Sequence, residues 1–319
     1  MERFFMGKKE IVFGDSQKKT FKELCEEYQR YGKINNLSPI TLDTYSNACL
    51  YFTRFIGEDI LCKSITQTTI DDYKLHLFGT SISAVTVNSY THNLSPVIKF
   101  GIKRGYINSP IEFKVIQSQE KIKDIYTTEE LRVLLKKPDI KRRGFAEIRN
   151  WTIINFLLAT GARANELRNV MVKDVDMDND VIKLQVTKNN KARFVPISTT
   201  LKNVLVEYLS LRHYNSGDEY LFPNIYGEML PRTTLQMSIT KYCKKRGIEK
   251  YSLHLFRHTF ATNYLRAGGN PLTLQRLLGH SSLKMVNKYI QMNTKDLQQD
   301  FDKYNPLDNV VRTRIQMDR

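Results

Sequence analysis

Apolar residues recur three and four positions apart over most of the chain, the spacing of helices with one buried face. Thr20 and Glu23 form a capping box, and behind it Phe21, Leu24, Cys25, Tyr28 and Tyr31 follow one face up to Gly32. Ser38 and Pro39 open a second helix with Tyr45, Ala48, Cys49, Phe52, Phe55 and Ile56 on its apolar side. Thr68 with Asp71 reads as the cap of a third helix, and Ala84 to Lys103 as a fourth, with Pro96 as the place for a kink. Between Tyr106 and Tyr126 the periodicity lapses into lysines, Pro110 and few spaced apolar residues, which predicts a linker over 107–126.

Beyond it, Thr127 with Glu130 caps LRVLLKK, and WTIINFLLAT runs into Gly161. Helical spacing then gives way to alternation. Ile182, Leu184 and Val186 mark one strand, Val195 and Ile197 the next, and Asn189-Asn190 suits a tight turn that pairs Lys188 with Lys191 across the tip. LKNVLVEYLSLRHY and TTLQMSITKYCKKRG are helices with basic outer faces. Ser252 is placed to cap a helix bearing His254 and Arg257 on its first turn, and Gly268, Gly269 and Asn270 stop it. Pro271 opens another helix that ends at Gly279, and Met285, Val286 and Tyr289 share a third short element. The expected fold is mainly α with a small antiparallel β-sheet. Its divisions are an N-terminal extension (1–19), a helical domain (20–106), the linker, and a mixed α/β domain (127–319) whose tail, 290–319, docks on a neighbouring protomer.

Composition narrows the function. Against 33 acidic residues stand 49 basic ones, a net charge of +16 over 319 residues, which favours a polyanionic partner and nucleic acid first. The apolar content of 41% fits a globular chain, and no apolar run is long enough for a leader or a membrane span, so a cytoplasmic protein is expected. Cys25, Cys49, Cys62 and Cys243 have neither disulfide-like nor metal-ligand spacing and read as core thiols, with no zinc and no other cofactor expected.

Six side chains can be collected in chain order: Arg163, Lys188, His254, Arg257, His280 and Tyr289. A cationic set with one nucleophile suits attack on a phosphodiester without metal. Guanidiniums offer forked donors to the non-bridging oxygens, where the transition state concentrates charge. A phenol with a pKa near 10 needs a base, for which His254 is placed. A lysine at the hairpin tip can protonate the leaving hydroxyl, Lys188 by its place in the motif with Lys191, which also flanks the turn, as the alternative, and His280 can hold the phosphate. Glu166, beside the first arginine, is expected to orient a neighbour, and His258 to make a structural hydrogen bond.

These segments, Arg163 in TGARANEL, Lys188 in TKNNKARFVPI, His254 and Arg257 in HLFRHTFAT, His280 in LLGHSS and Tyr289 in NKYIQM, strongly resemble the tyrosine recombinase family of integrases and Xer-like site-specific DNA recombinases. NNLSPITLDTY and VTVNSYTHNLSPVIKFGIKRGYINSP are similar to that family's core-binding domain. The resemblance implies two domains that clamp double-stranded DNA at inverted-repeat core sites. It implies a 3′-phosphotyrosine on Tyr289, strand exchange through a Holliday junction without metal or ATP, and a homotetramer on paired sites. It leaves room for an accessory directionality factor, and no membrane partner is expected. The competing readings are a topoisomerase of type IB and a non-catalytic architectural DNA-binding protein.

Overall fold

The computed structural model describes residues 19–117, 124–139, 144–186, 191–279 and residue 286. It divides into two units, Met1–Lys121 and Ile122–Arg319.

In the first unit α1 (Phe21–Ile34), α2 (Pro39–Ile56), α3 (Gln67–Gly79) and α4 (Ala84–Lys103) close on a core that includes Phe21, Leu24, Phe52, Ile70, Tyr73, Leu94 and Ile98. Phe52 is its hub, with ring contacts at 5.1 Å to Phe21 and 5.0 Å to Tyr73. The caps of α1 and α2 lie at Thr20 with Glu23 and at Ser38. The cap of α3 differs from the expectation at Thr68 and Asp71. Thr66 takes that position and exchanges bonds with Thr69, while Asp71 lies inside the helix and accepts from Gln67 and Lys74. The stretch read as linker is tied to this unit for its first part. Ile107 and Ile111 are buried in the same core, the Ile116 main chain bonds twice with the Asn88 amide at 2.8 and 2.9 Å, and Glu112 pairs with Gln67.

The second unit is built around α6 (Phe145–Thr160). Trp151 and Thr152 are buried along with Ile153, Ile154, Phe156 and Leu157, positions that together spread round the helix, so α6 is enclosed by its neighbours. Leaving water stabilises by about 1.5–3 kcal/mol for each isoleucine, leucine and phenylalanine side chain among them. Packed on it are α5 (Thr128–Leu135), α8 (Thr199–Leu211), α9 (Arg232–Lys244) and α10 (Leu253–Arg266). The short α7 (Ala164–Asn169) follows α6 directly, and α11 (Pro271–Leu278) follows α10. At the start of the unit, the Tyr126 ring packs at a tilt against Phe256, 4.6 Å between centres, and its main-chain N–H bonds to Thr259, which fixes α10.

β1 (Val175–Asp176), β2 (Val181–Val186) and β3 (Lys191–Pro196) form an antiparallel sheet in that order. Ile182 pairs with Val195, Leu184 with Arg193 and Val186 with Lys191. Lys191 therefore pairs with Val186 and not with Lys188 as expected, and the Asn189-Asn190 turn lies outside the described residues. Ile182, Leu184 and Val195 are buried on the inner face, and Arg193 shares that face with them.

Candidate active site

α6 ends on Gly161, which adopts a left-handed φ of 59° and returns its N–H to the Leu157 carbonyl. A side chain here is excluded twice over. The φ disfavours it, and a Cβ would lie 2.4 Å from Phe260 and 2.9 Å from Leu278. Glycine thus lets the end of α6 touch α10 and the last turn of α11.

Arg257, on the first turns of α10, is buried at this contact. One guanidinium nitrogen donates to the Gly161 carbonyl at 2.6 Å and the other to the Leu278 carbonyl at 2.7 Å. Both acceptors belong to helix C-terminal turns, where carbonyls lack intrahelical partners and a cation is favoured. Arg163, two residues beyond Gly161, reaches the same corner, where its Nη2 donates to the Gly279 carbonyl at 3.2 Å. The two arginines, far apart in sequence, therefore meet where α6 and α11 end.

Glu166 on α7 lies behind Arg163 and is 3% exposed. Its carboxylate accepts from the Arg163 main-chain N–H at 2.7 Å and from Arg163 Nη1 at 2.8 Å. It also accepts from Arg193 Nη2 at 2.7 Å and Nε at 3.3 Å. Burial pushes this carboxyl up, but the hydrogen bonds and charges of Arg193, then of Arg163, outweigh burial and hold it below the usual glutamate range. Arg193 is a buried partner that the motifs do not single out. The available signal was its parity, because it shares the inward face defined by Val195 and Ile197.

His254 is exposed one turn before Arg257, so the pair shares the start of α10 but not its burial. Ser252 occupies the N-cap with extended backbone, yet its hydroxyl makes no capping bond, contrary to expectation. Lys188, His280 and Tyr289 lie outside the described residues. Their described neighbours are Val186 and Lys191 at the ends of the paired strands, Gly279 at the arginine corner, and Val286, buried with Ala261, Leu274 and Leu278.

On the outer side of α9 an open groove of about 680 Å³ is lined by Gln236, Met237, Thr240, Lys241, Lys244 and Lys245. Lys244 lies 5.4 Å from the Tyr251 ring centre. Three cations beside flat apolar surface suit a nucleic-acid backbone. The triple variant Lys241→Gln, Lys244→Gln, Lys245→Gln is expected to flatten the plot of log DNA affinity against log salt by about 0.9 for each phosphate it no longer neutralises. A salt series giving the wild-type slope assigns DNA binding to another face.

Comparison with known proteins agrees with this architecture. The phage integrase family model matches residues 125–296, more than half of the chain, and the phage integrase SAM-like domain matches residues 18–115. Tyrosine recombinase XerC of Listeria monocytogenes is 27% identical over 281 residues, covering 85% of this chain and 93% of that protein. Among solved structures, the Tn1549 transposon integrase with a circular intermediate DNA aligns with a TM-score of 0.70 at 18% identity, over 85% of this chain and 94% of that one. The XerH site-specific recombinase bound to a palindromic difH substrate aligns with a TM-score of 0.69 at 23% identity, over 88% and 84%. Neither the topoisomerase reading nor the architectural one is favoured by these likenesses. The chain belongs to the phage integrase family and is a site-specific tyrosine recombinase, an enzyme that breaks and rejoins DNA strands.

Proposed function

We propose that Arg163, His254 and Arg257 act with Lys188, His280 and Tyr289 to cleave each strand through a covalent tyrosine adduct. The observation that carries this reading is the convergence of Arg163 and Arg257 on one corner, each tied to main-chain carbonyls beside Gly161 or Gly279. Tyr289 Oη attacks the scissile phosphorus and its proton passes to His254. The bond from phosphorus to O5′ breaks, and Lys188 supplies the proton that this oxygen takes up. The arginines, with His280, meet the charge that grows on the non-bridging oxygens. Removing one preorganised donor of this kind costs about 3 to 4 kcal/mol, or roughly a hundred to a thousand fold in rate.

The products are a 3′-phosphotyrosine and a free 5′-hydroxyl. A 5′-hydroxyl from the partner strand then attacks the adduct, returning the phenol and joining the exchanged strands. The phosphodiester energy is kept in the protein linkage, so the cycle balances without ATP or a metal ion. Paired exchanges through a Holliday junction call for a homotetramer on two inverted-repeat core sites, with the two domains clamping each duplex and residues 290–319 reaching a neighbouring protomer. The biological outcome is integration or excision of a mobile element, or resolution of joined copies, in the cytoplasm and on the nucleoid, with an accessory factor setting direction. A palindromic substrate on the XerH relative supports the inverted-repeat sites.

The test uses a duplex that the protein selects from a pool of random inverted repeats, remade with a nick next to the scissile bond so that the cleaved end diffuses away. In EDTA, a denaturing gel is expected to show a protein-DNA adduct, with peptide mapping placing the DNA on Tyr289. Binding of that duplex with no adduct overturns the covalent mechanism.

A further inference from the structure

Arg193 holds an unusual seat. A strand arginine on the inner face of a sheet is 8% exposed, opposite Leu184, with Nη1 buried and without a hydrogen-bond partner. Its place is set by close packing, since a Cβ on Gly279 would come within 2.8 Å of the Arg193 Cδ. An unsatisfied buried donor costs about 1–3 kcal/mol, and a residue chosen only for packing would avoid it. The compensation is Glu166, whose two oxygens each accept from both arginines. Oε1 takes Arg163 Nη1 and Arg193 Nε, and Oε2 takes the Arg163 main-chain N–H and Arg193 Nη2.

We propose that Arg193 is a positioning residue for strand cleavage, acting through Glu166 to aim Arg163 at the scissile phosphate. The inference rests on the reading of Arg163 as a phosphate clamp. A single carboxylate shared between two guanidiniums leaves the trio with one net positive charge. Without Arg193, the buried Glu166 charge falls on Arg163 alone. Arg163 is then held as a closed ion pair, its field on the phosphate is largely cancelled, and one of the two walls that fix Glu166 is gone. Arg193 also ties β3, the strand that leaves the 187–190 connection, to the turn carrying Arg163.

The test compares full-length wild type, Arg193→Met, Arg193→Lys and Arg163→Ala. The probes are the nicked duplex described above and a second duplex whose scissile phosphate carries an uncharged methyl in place of one non-bridging oxygen. Adduct formation is followed in single turnover with DNA saturated, below the melting temperature of every variant. Arg193→Met is expected to slow the charged duplex by about 10 to 100 fold, the range for residues that orient a functional group, with DNA affinity unchanged. Arg193→Lys, which keeps the charge but not the fork, recovers part of the rate. On the neutral duplex the Arg193→Met deficit disappears, because Arg163 no longer has a charge to meet. An equal deficit on both duplexes, or none on either, overturns the proposal. Full activity of Arg163→Ala on the charged duplex instead overturns the clamp reading beneath it, and that failure is seen in Arg163→Ala itself.

Discussion

Tyr289→Phe is expected to bind its DNA site as the wild type does and to form no covalent adduct at all. The substitution removes one oxygen and keeps the ring, so packing and charge are nearly unchanged while the atom that bonds to phosphorus is gone. The loss is therefore complete rather than graded, unlike that of an assisting residue. Among the other described tyrosines of the second unit, Tyr220 and Tyr264 are half-buried and the rest fall into two groups. Tyr126, Tyr208 and Tyr242 are at most 1% exposed, and burial pushes the phenols of Tyr126 and Tyr208 up, away from nucleophilic use. Tyr214, Tyr226 and Tyr251 are exposed. Of these, Tyr251 is three residues from His254 and is the strongest rival. Tyr289→Phe and Tyr251→Phe are compared with wild type on the nicked duplex in EDTA. An adduct that survives in Tyr289→Phe and vanishes in Tyr251→Phe transfers the nucleophile to Tyr251 and sinks the assignment.

How much of the fold and site is legible in the sequence depends on how local each determinant is. The capping boxes at Thr20 with Glu23 and Thr127 with Glu130 close within four residues, and sequence alone identifies them. The start of α3 differs from expectation because Thr66, Thr68 and Thr69 offer two overlapping boxes, and the buried Ile70, Tyr73 and Leu77 fit a helix starting at either. The hairpin difference has another origin. The expected pairing of Lys188 with Lys191 and the observed pairing of Val186 with Lys191 differ by two residues along one strand. A shift of two leaves every side chain on the same face, so alternation could not choose between them. What distinguishes the observed register is the seat of Arg193 against Glu166, a contact 27 positions apart that no local pattern reveals. Arg163 and Arg257 are likewise recognisable by their motifs. Their meeting is a tertiary fact, made by the ends of α6 and α11 and by Gly161, whose missing side chain lets the helices touch.

That meeting makes Arg257→Lys the second large prediction, with two separable parts. The native guanidinium spans two helix ends through different nitrogens, at 2.6 and 2.7 Å. An ammonium is a compact donor that cannot reproduce the fork, so at least one of these carbonyls is left without its charged partner. Hydrogen bonds to charged groups contribute about 1.5–3 kcal/mol, which in a unit of this size lowers the melting temperature by roughly 3–12 °C. The catalytic part is larger. Loss of bidentate donation to the phosphate is expected to slow adduct formation by about a hundred to a thousand fold at saturating DNA, well below the melting point. A calorimetric scan and a single-turnover rate read the two effects independently. A lowered melting temperature with an intact rate leaves Arg257 as a brace between α6 and α11 and removes it from the clamp. A lost rate with an unchanged melting temperature means that the carbonyl bonds serve only to aim the guanidinium. Both effects together mean that the contact joining the helices is also what organises the phosphate site, so that this corner of the fold cannot loosen without disarming the enzyme.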